Sequence, residues 1–319
     1  MTRRVETSVI VLNWNDRPHL GPCLTALQSQ TYRDFEIVLV DNGSTDGSVE
    51  FVTERFPAVH LIRNEENVGF ATGNNQGLAA AQGRFIATLN SDTVADPGWL
   101  AALVAAMQGA DRVGSCASHM ILAHRPGVLD SAGIDVDLTG TAWNRGHGRP
   151  ETPDATPTDV FGACAGAALY RRAMLDDVDG FFDPTYFIYY EDADLAWRAR
   201  LRGWRCVYVP TARVLHVHSA TTGRDPASKS YRLGRNKVWT ILKNYPPLPL
   251  VLFAPLIAGY DGAAVAYHLL RGNAHPLRGR LAALRDLSGP LAARRRVQAR
   301  RTIPWTTLVR AMTWQPRLR

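Results

Sequence analysis

The chain has 319 residues, 46% of them hydrophobic and 20% charged, with a formal net charge of +7. This length and apolar fraction suit one large or two small globular domains and exclude a disordered chain. Four cysteines, Cys23, Cys116, Cys164 and Cys206, lie far apart without CxxC or Cys/His spacing. That excludes a zinc framework or disulfide scaffold and fits a reducing, cytoplasmic setting.

The charge is uneven. Arg271 to Arg319 holds twelve arginines and one acid, Asp286, a balance of +11. The first 270 residues carry 24 basic and 28 acidic residues, a balance of −4. A basic tail on an acidic body argues against a nucleic-acid partner, which would need a basic face on the folded domain. It suits an anionic surface as the tail's partner. The start, MTRRVETSVIVLNW, has too short an apolar run for a signal peptide and leads straight into a strand pattern.

Taken in chain order, Ser8–Leu12, Phe35–Val40 and Arg84–Leu89 are apolar, β-branched runs that predict buried strands. Helix-like stretches lie among them, at Pro18–Gln30, Ser48–Phe56 and Asn74–Gln82. Alternating strands and helices predict a doubly wound, mostly parallel α/β sheet, whose ligands sit at the carboxyl ends of its strands. The segments at those ends are polar: NWND, DNGSTDGS and NSDT. Gly140 to Asp159 is rich in Gly, Pro and Thr and predicts a loop able to close over a ligand. Asp192 to Arg202 has helical spacing with Gly203 as its stop, and Trp204 to Pro210 alternates as a strand. Leu248 to Tyr260 is apolar but, read as ending at Asp261, is shorter than a spanning helix requires. Trp305, Leu308, Val309 and Met312 form an apolar helical stripe beside Arg310, suited to a membrane surface or to packing on the protein.

Several motifs carry chemistry. In DNGSTDGS, Asp41 and Asn42 can hydrogen-bond a base or ribose, while Gly43 and Gly47 permit tight turns; a plain turn and helix cap fits equally. NVGFATGNNQG places Asn67, Gly69 and Asn74 at a Gly-rich helix entry that resembles a phosphate cradle but lacks the lysine of a P-loop. In TLNSDT, Asn90 and Asp92 share one side of an extended end, and Asp92 is a hard oxygen ligand suited to Mg²⁺ or Mn²⁺.

YYEDADLAWR gathers Glu191, Asp192 and Asp194 at a helix start, where a carboxylate can accept the proton of an attacking hydroxyl. Its bland reading is a solvated helix start with Asp194 paired to Arg198. In LHVHSATTG, His216 and His218 point to one strand face, and either could complete a metal site begun by Asp92.

In order, VIVLNWN, VDNGSTDGS, NVGFATGNNQG, TLNSDT, GACAGAALYRR, YYEDADLAWRARLRGW and HVHSAT resemble the family 2 glycosyltransferases with the GT-A fold. The likeness covers about Thr7 to Pro247 and is strongest to rhamnosyltransferase-type enzymes of bacterial cell-envelope polysaccharide synthesis. It implies a catalytic domain over residues 1–245 and a helical, basic extension over 246–319. It implies metal-dependent, inverting transfer from a nucleotide diphosphate sugar to a glycan or polyprenyl-linked acceptor, at the inner face of the cell membrane.

By the same resemblance Asp192 is the base, with Glu191 and Asp194 nearby for acceptor contacts. Asp41 contacts the donor's base, and Asn13, Asn42, Gly43, Asn67, Gly69, Asn74 and Asn90 lie on the donor side. Asp92 and His216, with His218 as substitute, hold the metal. Arg235 and Asn236 match an RN element that supports the donor. Asn90 stands where the family's DxD motif has its first Asp, which loosens the metal. Rhamnose from deoxythymidine diphosphate-rhamnose is the expected sugar, with a uridine diphosphate hexose or galactofuranose next. A nucleotidyltransferase and a non-catalytic nucleotide-sugar-binding scaffold protein are the rival readings.

Overall fold

The computed structural model describes residues 5–152, 156–217 and 225–314. Its first part alternates strand and helix: β1 (Thr7–Asn13), α1 (Arg17–Gln28), β2 (Phe35–Asp41), α2 (Ser48–Arg55), β3 (His60–Arg63), α3 (Phe70–Ala80) and β4 (Phe85–Asn90). Strands β3, β2, β1 and β4 pair in that order, all parallel. The predicted runs become β1, β2 and β4. Their side chains alternate between two cores: Val9 and Val11 join Leu20, Leu24 and Trp99 on one face, while Ile10 joins Met174 and Phe182 on the other. Burial on both faces is why these strands read as continuous apolar runs.

Then come β5 (Thr93–Ala95), α4 (Trp99–Gln108), β6 (Val113–Leu122), β7 (Leu129–Ser131), β8 (Ile134–Val136), β9 (Ala142–Asn144), β10 (Thr158–Val160), β11 (Ala167–Arg171), α5 (Arg172–Asp177), α6 (Glu191–Leu201) and β12 (Arg205–His216). This part continues the sheet in mixed sense. β11 runs antiparallel to both β4 and β6, whereas β12 is parallel to β6. The strand predicted at Trp204–Pro210 runs on to His216, because the register shift between Val209 and Arg213 absorbs Pro210. Helix α6 stops at Gly203, whose φ of +78° is the left-handed turn glycine permits.

Three findings differ from the sequence expectations, and a fourth decides between two of them. Strands β3 and β6 had no clean alternation to announce them. The Gly140–Asp159 segment, expected as a loop, contributes β9, paired with β8, and part of β10, paired with β12.

The apolar run after Pro246 does not end at Asp261. After α7 (Pro226–Asn244), helix α8 (Pro247–Leu270) continues for 24 residues. Asp261 is accommodated within it by ion pairs to Lys237 at 2.9 Å and Arg280 at 2.8 Å. Helices α9 (His275–Arg285), α10 (Ser288–Ala299) and α11 (Trp305–Arg310) follow. Finally, the stripe of α11 packs inward. Leu308, Val309 and Met312 are buried against Ile134, Val136, Trp197 and Tyr245.

Candidate active site

A cavity of about 570 Å³ opens at the carboxyl ends of the parallel strands. Leu12, Asn42 and Asn90 at the ends of β1, β2 and β4 form one wall, and Glu191 and Asp192 at the start of α6 form another. This is where a doubly wound sheet binds ligands, since the chain leaves each strand there in a loop.

The pairing of β5 with β12 sets Thr93 opposite His216, which brings His216 beside Asp92. His216 Nε2 lies 3.1 Å from Asp92 Oδ1, and its Nδ1 lies 2.6 Å from Asp130 Oδ2. Burial opposes a charge on this imidazole, but its hydrogen bonds to Asp130 and Asp92 prevail and raise its pKa to about 9. Burial likewise works to raise Asp92, and His216 outweighs it, holding the carboxyl below its usual range.

The donor set suits a divalent cation. Asp92 and His216 both line the cavity, a metal would take the place of the proton on His216 Nε2, and the far imidazole nitrogen is fixed by a carboxylate, as in many metal sites. Asn90 lines the same wall. Among the described residues no cluster of three His, Cys, Asp or Glu side chains forms a metal cage, so further ligands would have to come from substrate oxygens or water. His218 lies outside the described residues.

The three acids of the YYEDAD motif separate. Asp192 lines the cavity, and its oxygens accept hydrogen bonds from the amides of Ala165 at 3.2 Å and Ala193 at 2.8 Å. Glu191 also lines the cavity, but Oε2 is buried without a hydrogen-bond partner. Burial raises both carboxyls. Glu191 goes well above its normal value, because the charge of Asp192 adds to burial, whereas backbone amides restrain the rise at Asp192. Of the two carboxyls, Asp192 is therefore the one whose surroundings favour ionisation first.

Asp194 does not face the cavity. It is wholly buried among Arg198 (2.9 Å), Lys243 (2.9 Å) and Asn244 (2.7 Å). Burial would raise it, but Lys243 and Arg198 hold it down at about 2. One turn separates Glu191 from Asp194, yet α6 presents them to opposite surroundings. The acceptor contact expected of Asp194 gives way to a clamp joining α6 to α7.

The donor-side residues divide similarly. Asn42, Asn67, Gly69 and Asn90 line the cavity; Asn13 and Asp41 do not. Asp41 is buried, with Oδ1 accepting from the Ser44 amide at 2.9 Å and Oδ2 from Asn13 at 2.8 Å. Both side chains shape the turn after β2. Gly43 is required there, since a Cβ would come within 2.8 Å of the Glu66 backbone at φ +73°.

The Asn67–Gly77 segment does not present a bare helix N-terminus to a phosphate. The Ala71 amide donates to the Phe187 carbonyl at 3.1 Å, and a Cβ on Gly69 would stand 2.6 Å from the Phe187 ring. Asn74 turns inward and bonds Phe70 of its own helix.

Arg235 and Asn236 hold the loop before α6 and do not line the cavity. Arg235 donates to the carbonyls of Thr185 and Tyr186, both at 3.1 Å. Asn236 donates to those of Tyr186, Ile188 and Tyr189. In that loop Phe187, Tyr189 and Tyr190 have φ near +64°, +71° and +70°. Three non-glycine residues in left-handed backbone next to the acids is strain that the surroundings must maintain.

Sequence reasoning missed Asp130, which fixes His216 from β7, and the cavity-lining Trp14, Trp143, Tyr189, Lys229 and Arg232. Asp130 sits in a three-residue strand with no motif around it. For Tyr189 a signal existed, the aromatic run before the acids.

A doubly wound α/β sheet with a mixed second half, and one cavity shared by an Asp–His pair and two carboxyls, match a glycosyltransferase of the GT-A fold. The Glycosyl transferase family 2 profile matches residues 8–179, more than half of the chain, and the chain belongs to that family. It is similar to the N-acetylglucosaminyl-diphospho-decaprenol L-rhamnosyltransferase of Mycobacterium tuberculosis, at 32% identity over 69% of this chain and 78% of that one. An uncharacterised glycosyltransferase of Nostoc is 32% identical over 70% of this chain and 68% of its own.

Among solved structures, GalNAc-T7 with UDP, GalNAc and Mn²⁺ aligns at a TM-score of 0.64 and 17% identity, covering 93% of this chain and 55% of that one. The Pyrobaculum calidifontis mannosyltransferase PcManGT with GDP-mannose and Mn²⁺ aligns at 0.54 and 21%, covering 97% and 84%. At these identities the two structures establish the fold alone.

Proposed function

We propose that this enzyme is a metal-dependent, inverting glycosyltransferase. It moves rhamnose from deoxythymidine diphosphate-rhamnose to a polyprenyl-diphosphate-linked saccharide, at the inner face of the cell membrane, in cell-envelope polysaccharide synthesis. The sugar and acceptor follow the name of the mycobacterial relative. Residues 1–245 are the catalytic unit and residues 246–319 its extension.

The observation that carries the chemistry is Asp192. It is the carboxylate in the cavity restrained by two amides, beside Glu191 and in the same cavity as the Asp92–His216 pair. Asp192 accepts the proton of an acceptor hydroxyl as its oxygen bonds to the anomeric carbon, and the bond from that carbon to the diphosphate oxygen breaks. The displacement comes from the opposite face, so configuration inverts. Asp92 and His216 would hold Mg²⁺ or Mn²⁺, which when bound neutralises charge on the departing diphosphate.

The test is transfer from a panel of nucleotide sugars, including uridine diphosphate hexoses and galactofuranose, by wild type and Asp192→Asn. The substitution should cost at least about 100-fold in kcat while leaving donor binding within about twofold. Because Asp192 works ionised and burial raises its pKa, wild-type kcat/KM should fall as pH drops, through a value above the ordinary aspartate range. Equal loss of binding and turnover would remove Asp192 from the role of base. Donor binding without transfer to any acceptor would leave the scaffold reading.

A further inference from the structure

We infer that α8 is a membrane-docking helix that lies in the plane of an anionic bilayer surface, with one flank on the protein and the other in lipid. By length and composition α8 is apolar enough to span a bilayer, yet almost none of it is buried in the protein. Its inner side is nevertheless occupied. Leu250, Phe253, Ile257 and Asp261 recur at helical spacing. The first three pack on the core containing Tyr245 and Trp197, and Asp261 is ion-paired to Lys237 and Arg280. A helix fastened along one flank to soluble helices, with an ion-pair cluster near its middle, cannot cross a bilayer without stripping those contacts.

The outer flank carries Leu248, Val251, Leu252 and Leu256, and Val251 is 72% exposed. Further exposed leucines, Leu281, Leu284 and Leu291, lie in α9 and α10. An exposed apolar helix flank of this kind needs an occupant. Its chemistry is set by what surrounds it. The segment that follows α8 carries the chain's whole excess of positive charge, with exposed Arg271, Arg278, Arg285 and Arg295.

A second copy paired through this face would set the same arginines against each other, since a two-fold interface is self-complementary. An anionic leaflet accepts both the leucines and the arginines. The helix also adjoins the cavity rim. Tyr260 hydrogen-bonds Thr141, the neighbour of Ala142 and Trp143, which line the cavity. Docking through α8 therefore holds that rim at the lipid surface. The inference deepens the reading of a lipid-linked acceptor, but the docking itself needs no substrate, so the two fail separately.

The test is flotation of the full chain with phosphatidylcholine vesicles containing about one third phosphatidylglycerol. Wild type should float with these vesicles, less so as salt rises, and not with phosphatidylcholine alone. Val251→Glu/Leu252→Glu should stay at the bottom while its circular dichroism and melting temperature match wild type. If that variant fails to fold, Arg278→Gln/Arg285→Gln, on the solvent side of α9, should weaken flotation alone.

In membranes from expressing cells the protein should be released by alkaline carbonate; retention would mean that α8 spans. Wild type that does not float, flotation indifferent to all four substitutions, or a salt-stable dimer that Val251→Glu/Leu252→Glu converts to monomer would each overturn the inference.

Discussion

Asn236→Ala removes the clamp on the loop that leads into α6. The side chain is wholly buried, and Nδ2 faces the carbonyls of Tyr186, Ile188 and Tyr189 at 3.1, 3.0 and 2.7 Å. An amide has two hydrogens for these three acceptors, so at least two hydrogen bonds are lost, each worth about 0.5–1.5 kcal/mol. Carbonyls left dry add to that loss. The sum, about 2–4 kcal/mol, falls at the low end of the roughly 3–9 kcal/mol that three left-handed residues store at about 1–3 kcal/mol each. The balance therefore tips locally, and the loop relaxes while the domain stays folded.

Tyr190 immediately precedes Glu191, so relaxation shifts the start of α6 and with it Asp192. A displacement of about 1 Å at a reacting group costs roughly 100-fold in rate. The assay pairs steady-state transfer with calorimetric donor binding. We expect kcat to fall roughly 10- to 100-fold, with donor affinity changed by less than about twofold. Asn236→Asp, equal in size but without the amide hydrogens, should behave alike. Unchanged kcat would refute the clamp. Donor affinity lost in step with kcat would return Arg235 and Asn236 to the donor side, where the sequence resemblance set them.

Two further outcomes follow from the same geometry. Asp130→Asn should weaken Mn²⁺ binding, read by calorimetry in the presence of nucleotide diphosphate, by roughly 10- to 100-fold, because it loosens the hydrogen bond that orients His216. Lys243→Met should lower unfolding free energy at neutral pH by about 3 kcal/mol in urea titrations, the low end for breaking a buried pair, since Arg198 and Asn244 still hold Asp194. It should also sensitise the fold to acid. The stabilisation from Asp194 is present above the unfolded aspartate pKa and lost as pH falls toward about 2; removing Lys243 raises that lower limit.

What the sequence made legible was local. β1, β2 and β4 each carry their own apolar run, and the acids of α6 stand within four residues of one another, so both could be read without knowing what packs where. The rest depends on contacts between distant segments. Asp130 acquires a role only because β7 pairs with β6 and β6 with β12, which carries His216 to it across 86 positions.

The division of labour between Glu191 and Asp194 shows the same limit from the other side. Both are acids in the first turn of one helix, and the one local difference, Arg198 four residues after Asp194, does not by itself separate a solvated pair from a buried clamp. Lys243 and Asn244, about fifty residues on, supply the cation and amide that make Asp194 structural, while Glu191 is left with only burial and Asp192 beside it. Asp261 was misread for this reason as well. A charge in an apolar run looks like an interruption until Lys237 and Arg280 arrive from flanking helices to neutralise it. Buried charges in this fold are therefore the residues whose function the neighbouring elements decide. The same rule singles out Asp192: it faces the cavity with no cation at its oxygens among the described ion pairs, which leaves it able to take a proton where Asp194 cannot.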